Sequence, residues 1–246
     1  MAVIATGGLS GGGGRFLGPE LSRRIDADYV DRLILSNVSR ELQATVEALD
    51  QREQRPPTRA ERFSRLIQRI MERTAYTGGG PDPYFGTVYP EFLISEYDEL
   101  PTLIATRGHE IDDDAYIGAI RTVIEDLASG GNVVIVGRGA HVILQDNPDV
   151  LRVGLIATFE DRVERVMVRE RMTQSEAELS IQARDAARLQ YFQRFFNIDT
   201  PDAAEFYHLV INTSEMNLDA ATDIIIRASE ELEMGRLSRH AFRVEP

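Results

Sequence analysis

The feature that most constrains the fold of this chain is a glycine-rich segment between a predicted strand and a predicted helix. Residues 3–6 form a short apolar run typical of a buried strand, and an amphipathic stretch covers about residues 15–24. Between them stands the run Gly8-Leu9-Ser10-Gly11-Gly12-Gly13-Gly14-Arg15. In the order strand, glycine loop, helix, backbone N–H groups gather at a helix N-terminus, where they bind phosphate. The sequence predicts a phosphate-binding loop here, and a flexible glycine linker is the alternative.

This glycine loop, residues 8–14, keeps the spacing of a known phosphate-binding pattern and departs from it at two positions. Gly8 and Gly13 match the two glycines of G-x-x-x-x-G-K-[ST]. Gly14 stands where the pattern has its lysine, and Arg15 stands where it has the hydroxyl that binds magnesium. All 27 basic residues of the chain are arginines. Any side-chain cation that binds a phosphate here is therefore an arginine.

Composition excludes several classes of site and partner. The formal net charge of −13 opposes broad nucleic-acid binding, which needs a positive surface. Cysteine is absent, which rules out disulfides, thiolate zinc sites and cysteine nucleophiles. No apolar run approaches the roughly 20 residues that span a bilayer, and the first residues lack the pattern of a signal peptide. We therefore expect a cytoplasmic protein with no membrane partner.

After residue 112 the chain alternates between helix and strand patterns. Strands are predicted at 133–136, 151–156 and 208–211, and helices at about 116–127, from 158, from 173 and at 218–232. Thr173 and Glu176 have the spacing of a capping box. Continuous β-branched strands between helices are typical of a parallel sheet covered on both faces. We expect a single α/β domain over 1–246, with its core at 1–35 and 111–235 and a tail at 236–246.

Residues 36–110 have helical rather than strand patterning and are expected to form a helical insertion. An apolar stripe there follows a capping-box spacing at Thr58 and Glu61. Arginines recur between positions 52 and 73, most of them on the outward side of that stripe. We interpret them as solvated surface or as a contact in a homo-oligomer, and a nucleotide or RNA site is the alternative.

Two further groups of arginines are candidates for phosphate contacts. Arg138 follows the strand at 133–136, at the sheet edge where open α/β proteins bind ligands, and a structural ion pair is the alternative. Others lie at about 160–195, namely Arg162, Arg165, Arg169, Arg171, Arg184, Arg188 and Arg194. They suit a lid that stabilises charge on a migrating phosphoryl group, or a solvated face paired with nearby glutamates. The four histidines have no metal-ligand spacing, and no residue is assigned to a metal.

Taken together, these segments resemble the cytidylate kinase-like family. The likeness rests on GGGGRFLGPELSRRIDADYVDR at 11–32, on GGNVVIVGRGAHVIL, on LRVGLIATFEDRVERVMVRERM, and on ARDAARLQYFQRFFNIDTPDAAEFYHLVINTSEMNLDAA at 183–221. It implies a three-layer P-loop kinase-type fold. That fold has a five-stranded parallel sheet, a helical insertion that binds a nucleoside monophosphate, and an arginine lid.

The resemblance also implies an activity and a set of site residues. The activity is transfer of the γ-phosphoryl group of ATP, with Mg²⁺, to CMP, dCMP or a related acceptor. The donor phosphates would lie in a cradle made by Gly8, Gly11, Gly12, Gly13 and Gly14. The implied catalytic residues are Arg15, Arg184 and Arg188, and the implied substrate contacts are Asp31, Arg138 and Asp185. Arg15 would supply the charge of the missing lysine.

The sequence departs from true cytidylate kinases at positions that matter for catalysis. The loop lysine and hydroxyl are missing, and the acidic positions of the D-G-R-D segment are occupied by Val136 and Gly139. The alternative to an active kinase is therefore a catalytically silent nucleotide sensor or interaction protein on the same fold. An RNA-binding module is a third possibility that fits the arginines at 52–73 and conflicts with the net charge.

Overall fold

The computed structural model describes residues 2–31 and 113–237. The predicted insertion at 36–110, its arginines at 52–73 and the tail beyond residue 237 lie outside these ranges. Most described residues belong to one compact unit, formed by Met1–Arg32 and Leu127–Pro246, and residues 113–126 are assigned to a second unit. No helix in the described ranges is long and apolar enough to cross a membrane.

Strands and helices alternate along the described residues. The strands are β1 (Val3–Gly8), β2 (Asp28–Asp31), β3 (Val133–Val136), β4 (Val150–Ile156) and β5 (Leu209–Asn212). The helices are α1 (Gly14–Ile25), α2 (Asp113–Gly130), α3 (Ala140–Ile143), α4 (Phe159–Glu170), α5 (Gln174–Phe196) and α6 (Leu218–Glu233), with a 3₁₀ turn at Ala204–Phe206. The strands and helices predicted in these ranges are confirmed, with ends displaced by a few residues.

The five strands form one sheet in the order β2-β3-β1-β4-β5, and every neighbouring pair is parallel. The predicted five-stranded parallel sheet is therefore confirmed. Because the strands are parallel, all their carboxyl ends lie at one edge. At or just after the ends of β1, β2, β3 and β5 lie the glycine loop, Asp31, the turn at Arg138 and Thr213, respectively. The topology thus brings residues from distant parts of the chain to one edge, where open α/β sheets bind ligands.

Helices α1 and α6 cover one face of the sheet. Leu17 and Leu21 of α1 and Ile225 of α6 are at most 1% exposed and join a core with alternate residues of β1, β3, β4 and β5. Burial of each such side chain contributes about 1.5–3 kcal/mol, which fixes α1 against the strand that leads into the glycine loop.

On the opposite face a pair of glycines makes room for two aromatic rings. Gly7 of β1 and Gly154 of β4 are register partners. A Cβ atom on Gly7 would lie 2.4 Å from Tyr207 Oη and 2.9 Å from His141 Nδ1, and one on Gly154 would lie 2.9 Å from Tyr207 Cδ2. The rings of His141 and Tyr207 stack at 4.9 Å. They lie beneath the strand end that carries the glycine loop.

Helices α4 and α5 form a hairpin, called here the lid hairpin, which spans the residues predicted as the lid, about 160–195. Thr158 caps α4 by accepting a hydrogen bond from the Asp161 N–H at 3.2 Å. Thr173 and Glu176 form the predicted capping box at the start of α5. The two helices pack through four buried side chains, Val163, Val166, Ala177 and Ile181.

Candidate functional site

The glycine loop turns sharply between β1 and α1. Its backbone has positive φ at Gly11 (77°) and Gly13 (101°), a region that side-chain-bearing residues rarely occupy. Gly13 is the N-cap of α1, and its carbonyl accepts hydrogen bonds from the N–H groups of Phe16 and Leu17, both at 3.0 Å. The loop also closes on itself, since the Gly12 N–H donates to the Leu9 carbonyl at 2.9 Å.

Neighbouring backbone lies very close to the loop at two positions. A Cβ atom on Gly8 would lie 2.3 Å from the Leu155 carbonyl oxygen, and one on Gly11 would lie 2.9 Å from the Arg162 carbonyl oxygen. Both contacts are shorter than real Cβ contacts, so the space as well as the dihedral angles requires glycine at these positions. This segment is a compact turn that packs on β4 and α4.

Two N–H groups of the loop are available to an anion. Within residues 2–31 and 113–237, the N–H groups of Gly13 and Gly14 donate to no protein acceptor. They lie at the N-terminus of α1, where the helix dipole favours negative charge. The arrangement can therefore bind phosphate through the backbone alone.

Arg165 and Thr213 hold the outer side of the loop. Arg165 Nη1 donates to the Gly11 carbonyl at 3.1 Å and to Thr213 Oγ1 at 2.8 Å, and its Nη2 donates to the Thr213 carbonyl at 2.7 Å. Thr213 Oγ1 in turn donates to the Gly12 carbonyl at 3.0 Å. Sequence reasoning placed Arg165 only within a run of arginines and did not consider Thr213. Its position directly after β5, at the edge shared with the loop, is the signal that could have identified it.

Arg138 lies in a strained turn after β3. Its φ is +50°, and it stands between Gly137 and Gly139, which also have positive φ. Its carbonyl accepts a hydrogen bond from Tyr191 Oη at 3.3 Å, and its guanidinium carbon lies 5.9 Å from the centroid of the Tyr191 ring. Phe196 packs so closely on Gly139 that a Cβ atom there would lie 2.8 Å from the ring. Helix α5 thus fixes the turn that presents Arg138.

The predicted lid residues lie in buried ion pairs. Arg184 makes two hydrogen bonds to Glu170, at 2.7 and 3.0 Å, and these side chains are 2% and 1% exposed. Arg188 makes two to Asp202, at 2.6 and 2.7 Å, and its guanidinium carbon lies 4.8 Å from the Phe192 ring centroid.

Asp185 takes part in a third pair, in which Arg162 Nη2 donates to its carboxylate at 2.5 Å. Burial raises the pKa of Asp185 above its ordinary value, and the nearby Arg162 and Arg188 only partly oppose that rise. Burial acts in the same direction on Glu170, but hydrogen bonds from Arg184 and Arg169 outweigh it and lower the pKa of Glu170. Glu170 is therefore a fixed anion of the lid hairpin.

The remaining predicted residues lie at the sheet edge. Asp31 ends β2, and Arg15 is in the first turn of α1, directly after the glycine loop. The topology thus places the loop, Arg15, Asp31 and Arg138 along one edge. Arg184, Asp185 and Arg188 belong to the lid hairpin, which reaches the loop through Arg165.

Comparisons with known proteins agree with this arrangement. The model of the cytidylate kinase-like family matches residues 3–215. Cytidylate kinase of Halobacterium salinarum is 26% identical over 146 residues, which are 59% of this chain and 71% of that kinase. Cytidylate kinase of Pyrococcus horikoshii is 33% identical over 108 residues, 44% of this chain, and the match spans only 55% of that kinase.

A solved structure shares the fold. A protein of Eubacterium ventriosum described as uncharacterized aligns with a TM-score of 0.58 at 18% identity, and the alignment covers 94% of this chain and 98% of that one.

Proposed function

The chain belongs to the cytidylate kinase-like family, and from that membership we propose that it transfers the γ-phosphoryl group of ATP to CMP, dCMP or a related nucleoside monophosphate. The observation that carries the proposal is the glycine loop. It turns tightly between β1 and α1 and presents the N–H groups of Gly13 and Gly14 at the start of α1. The family relation supplies the reaction class, and the loop supplies a place for the donor.

On the donor side, the loop backbone holds the phosphates of ATP. Phosphoryl transfer needs positive charge near the migrating group, because negative charge is spread over its oxygens in the transition state. Gly14 cannot supply that charge, so Arg15 is assigned to it. A guanidinium on the first turn of α1 also adds to the positive end of the helix dipole.

On the acceptor side, Arg138 and Asp31 are assigned to the nucleoside monophosphate. Arg138 is well suited to a phosphate, because its planar guanidinium can donate two parallel hydrogen bonds. The turn that carries it is fixed by Tyr191 and Phe196, so little conformational freedom is lost when it binds. Residues 36–110, which are proposed to complete the acceptor site, lie outside the described ranges.

The lid residues Arg184 and Arg188 act by exchanging partners. Each is bound to a carboxylate, Glu170 or Asp202. Phosphate oxygens offer the same bidentate geometry with at least as much negative charge. Arg188 is the better candidate for exchange, because Asp202 is 29% exposed and can be solvated when it is released, whereas Glu170 is 1% exposed.

Magnesium is assigned to the nucleotide rather than to a preformed protein site. In residues 2–31 and 113–237, no three carboxylate or imidazole side chains gather as a metal cluster. Arg15 stands where the loop pattern has its metal-binding hydroxyl. Mg²⁺ commonly binds through substrate phosphates and retains several waters. We therefore treat MgATP as the substrate and assign no protein residue to the metal.

Two observations favour a second function, a silent nucleotide sensor. Loss of the loop lysine removes a positive charge beside the phosphates of ATP. A hydrogen-bond donor that stabilises a transition state typically raises the rate by about 10²–10³. The buried pairs of Arg184 and Arg188 also keep these cations on carboxylates. A protein of this kind would bind nucleotide and change its lid without transferring phosphate.

A coupled assay of ADP release tests the proposal against this alternative. The purified chain is given MgATP with CMP, dCMP, UMP, AMP or GMP, and we expect ADP release that depends on the acceptor. Arg15→Ala and Arg188→Ala should each lower turnover. Arg227→Ala, which removes an exposed arginine of α6, is the charge-matched control. Saturable nucleotide binding with no acceptor-dependent release would support the sensor instead.

A further inference from the structure

Arg165 has a different kind of partner from four other arginines of the lid hairpin. Arg162, Arg169, Arg184 and Arg188 each form an ion pair with a carboxylate. Arg165 forms no ion pair with any carboxylate of residues 2–31 and 113–237, and its hydrogen bonds go to carbonyl oxygens and to one hydroxyl. Its charge interaction with a carboxylate in the described part of the chain is through space, with Asp161, whose pKa it helps to lower.

Arg165 is connected to the loop by a directed chain of hydrogen bonds. The Arg165 guanidinium donates to Thr213 Oγ1, and the single hydroxyl proton of Thr213 is donated onward to the Gly12 carbonyl. The Ile156 carbonyl, at 3.2 Å, is the other acceptor within reach of that proton. The peptide plane that contains the Gly12 carbonyl also contains the Gly13 N–H, which points the opposite way because the peptide is trans.

This series of hydrogen bonds ends at the Gly13 N–H, which faces the proposed phosphate. Within the described ranges the Gly13 N–H has no acceptor. Hydrogen bonds in series polarise one another, by roughly 10–30% per bond. The Arg165 guanidinium begins this series, and the Thr213 hydroxyl and the Gly12–Gly13 peptide follow it. The cation thus increases the positive character of the Gly13 N–H. Thr213 also packs on Gly13 itself, with its Cγ2 3.2 Å from where a Cβ atom would stand.

We infer that Arg165 and Thr213 form a relay from outside the loop that orients and polarises the Gly13 N–H, and so supplies part of the positive character that the absent lysine would give to the donor phosphates. This inference rests on the proposed function, because it assumes that the triphosphate of a nucleotide binds in the loop. Arg165 and Thr213 are positioning residues in this scheme, since neither needs to touch the phosphate.

Binding of tripolyphosphate and of ATP, measured by titration calorimetry, tests the relay. Thr213→Val removes the hydroxyl at nearly constant volume, and Thr213→Ser restores it. We expect Thr213→Val and Arg165→Ala to weaken binding of both ligands, Arg165→Ala by roughly tenfold. Thr213→Ser should bind within about twofold of the wild type. Arg227→Ala is the control for a simple change in net charge.

Two further measurements separate the relay from a merely structural brace. If the two residues act in series, the double variant Arg165→Ala/Thr213→Val should bind no more weakly than Arg165→Ala alone, because coupled effects are not additive. Added guanidinium ion should partly restore binding to Arg165→Ala. If Arg165→Ala does not fold, Thr213→Val and Thr213→Ser decide the question by themselves.

The outcomes distinguish the relay from the proposed function. A wild-type protein that binds neither ligand contradicts both. A wild type that binds, with Thr213→Val and Arg165→Ala indistinguishable from Arg227→Ala, overturns the relay and leaves the proposed function standing. Losses that add in the double variant, or that Thr213→Ser shares with Thr213→Val, also overturn the relay.

Discussion

Acidification should lower the free energy of unfolding, because His141 is buried in its neutral form. This side chain is 1% exposed and is stacked on Tyr207. Burial, reinforced by the charge of Arg188, lowers the pKa of His141 from its ordinary value of 6.5 to about 3, although a hydrogen bond with the Pro201 carbonyl acts in the opposite direction. The folded protein therefore keeps His141 neutral at a pH where the unfolded chain protonates it.

The sign and size of the effect follow from that shift. Because the pKa is lower in the folded state, the unfolded state binds more protons below about pH 6.5, and the free energy of unfolding falls as the pH falls. The loss attributable to His141 is negligible at about pH 7.5 and reaches ~2 kcal/mol at about pH 5. It continues to grow until the pH nears the folded pKa of about 3.

Urea unfolding of the wild type and of His141→Phe, measured across that range, isolates the histidine. The variant keeps an aromatic ring against Tyr207, cannot titrate, and shares every other ionisable group with the wild type. Its loss of the hydrogen bond to the Pro201 carbonyl is a constant offset at all pH values. We expect the wild type to lose ~2 kcal/mol more than the variant between about pH 7.5 and pH 5. Parallel pH profiles for the two proteins would refute the burial of a neutral His141.

Three other substitutions probe the loop and the lid hairpin. Gly8→Ala should abolish nucleotide binding in a titration, because its Cβ would lie 2.3 Å from a carbonyl oxygen of β4, whereas Gly118→Ala, where nothing lies within 4 Å, should bind normally. Glu170→Gln should lower the free energy of unfolding by about 3–5 kcal/mol in a denaturant titration, because it leaves the buried Arg184 without its anion. Thr173→Ala should lower it by ~1 kcal/mol through loss of the cap of α5, and an unchanged midpoint would show that the cap contributes nothing.

Local signals predicted the parts of the fold that depend on neighbouring residues. The start of α5 follows from Thr173 and Glu176, which are three positions apart and form the capping box seen in the structure. The strand at 133–136 was predicted at its observed bounds, because a continuous β-branched run is buried on both faces. The order of the strands is not a local property, and the five-stranded sheet was expected from the family resemblance.

The partners of the arginines could not be predicted in the same way. The sequence allowed a mobile lid or a solvated face for Arg162, Arg184 and Arg188, and the structure buries all three in ion pairs. Their carboxylate partners lie 14 or 23 positions away along the chain. The packing of α4 on α5 brings together Arg162 with Asp185 and Arg184 with Glu170, and Asp202 reaches Arg188 from the segment after α5. Tertiary contacts therefore decide whether these cations face solvent.

The sequence did not indicate which residues support the glycine loop, for a related reason. Thr213 and Gly12 are 201 positions apart, and only the parallel sheet brings them together. The spacing of the glycines identified the loop, but nothing in that spacing indicates which residues hold it from outside. A search for polar residues immediately after each predicted strand would have brought Thr213 into consideration.

Transfer of a labelled γ-phosphoryl group tests the central claim most directly. The chain is incubated with MgATP labelled in the γ-position and with CMP, and the nucleotides are separated and identified. The proposed function predicts label in CDP that requires both the protein and CMP, and that falls sharply for Arg138→Gln. Label that stays in ATP, or that appears only as free phosphate at the same rate with and without CMP, would contradict it.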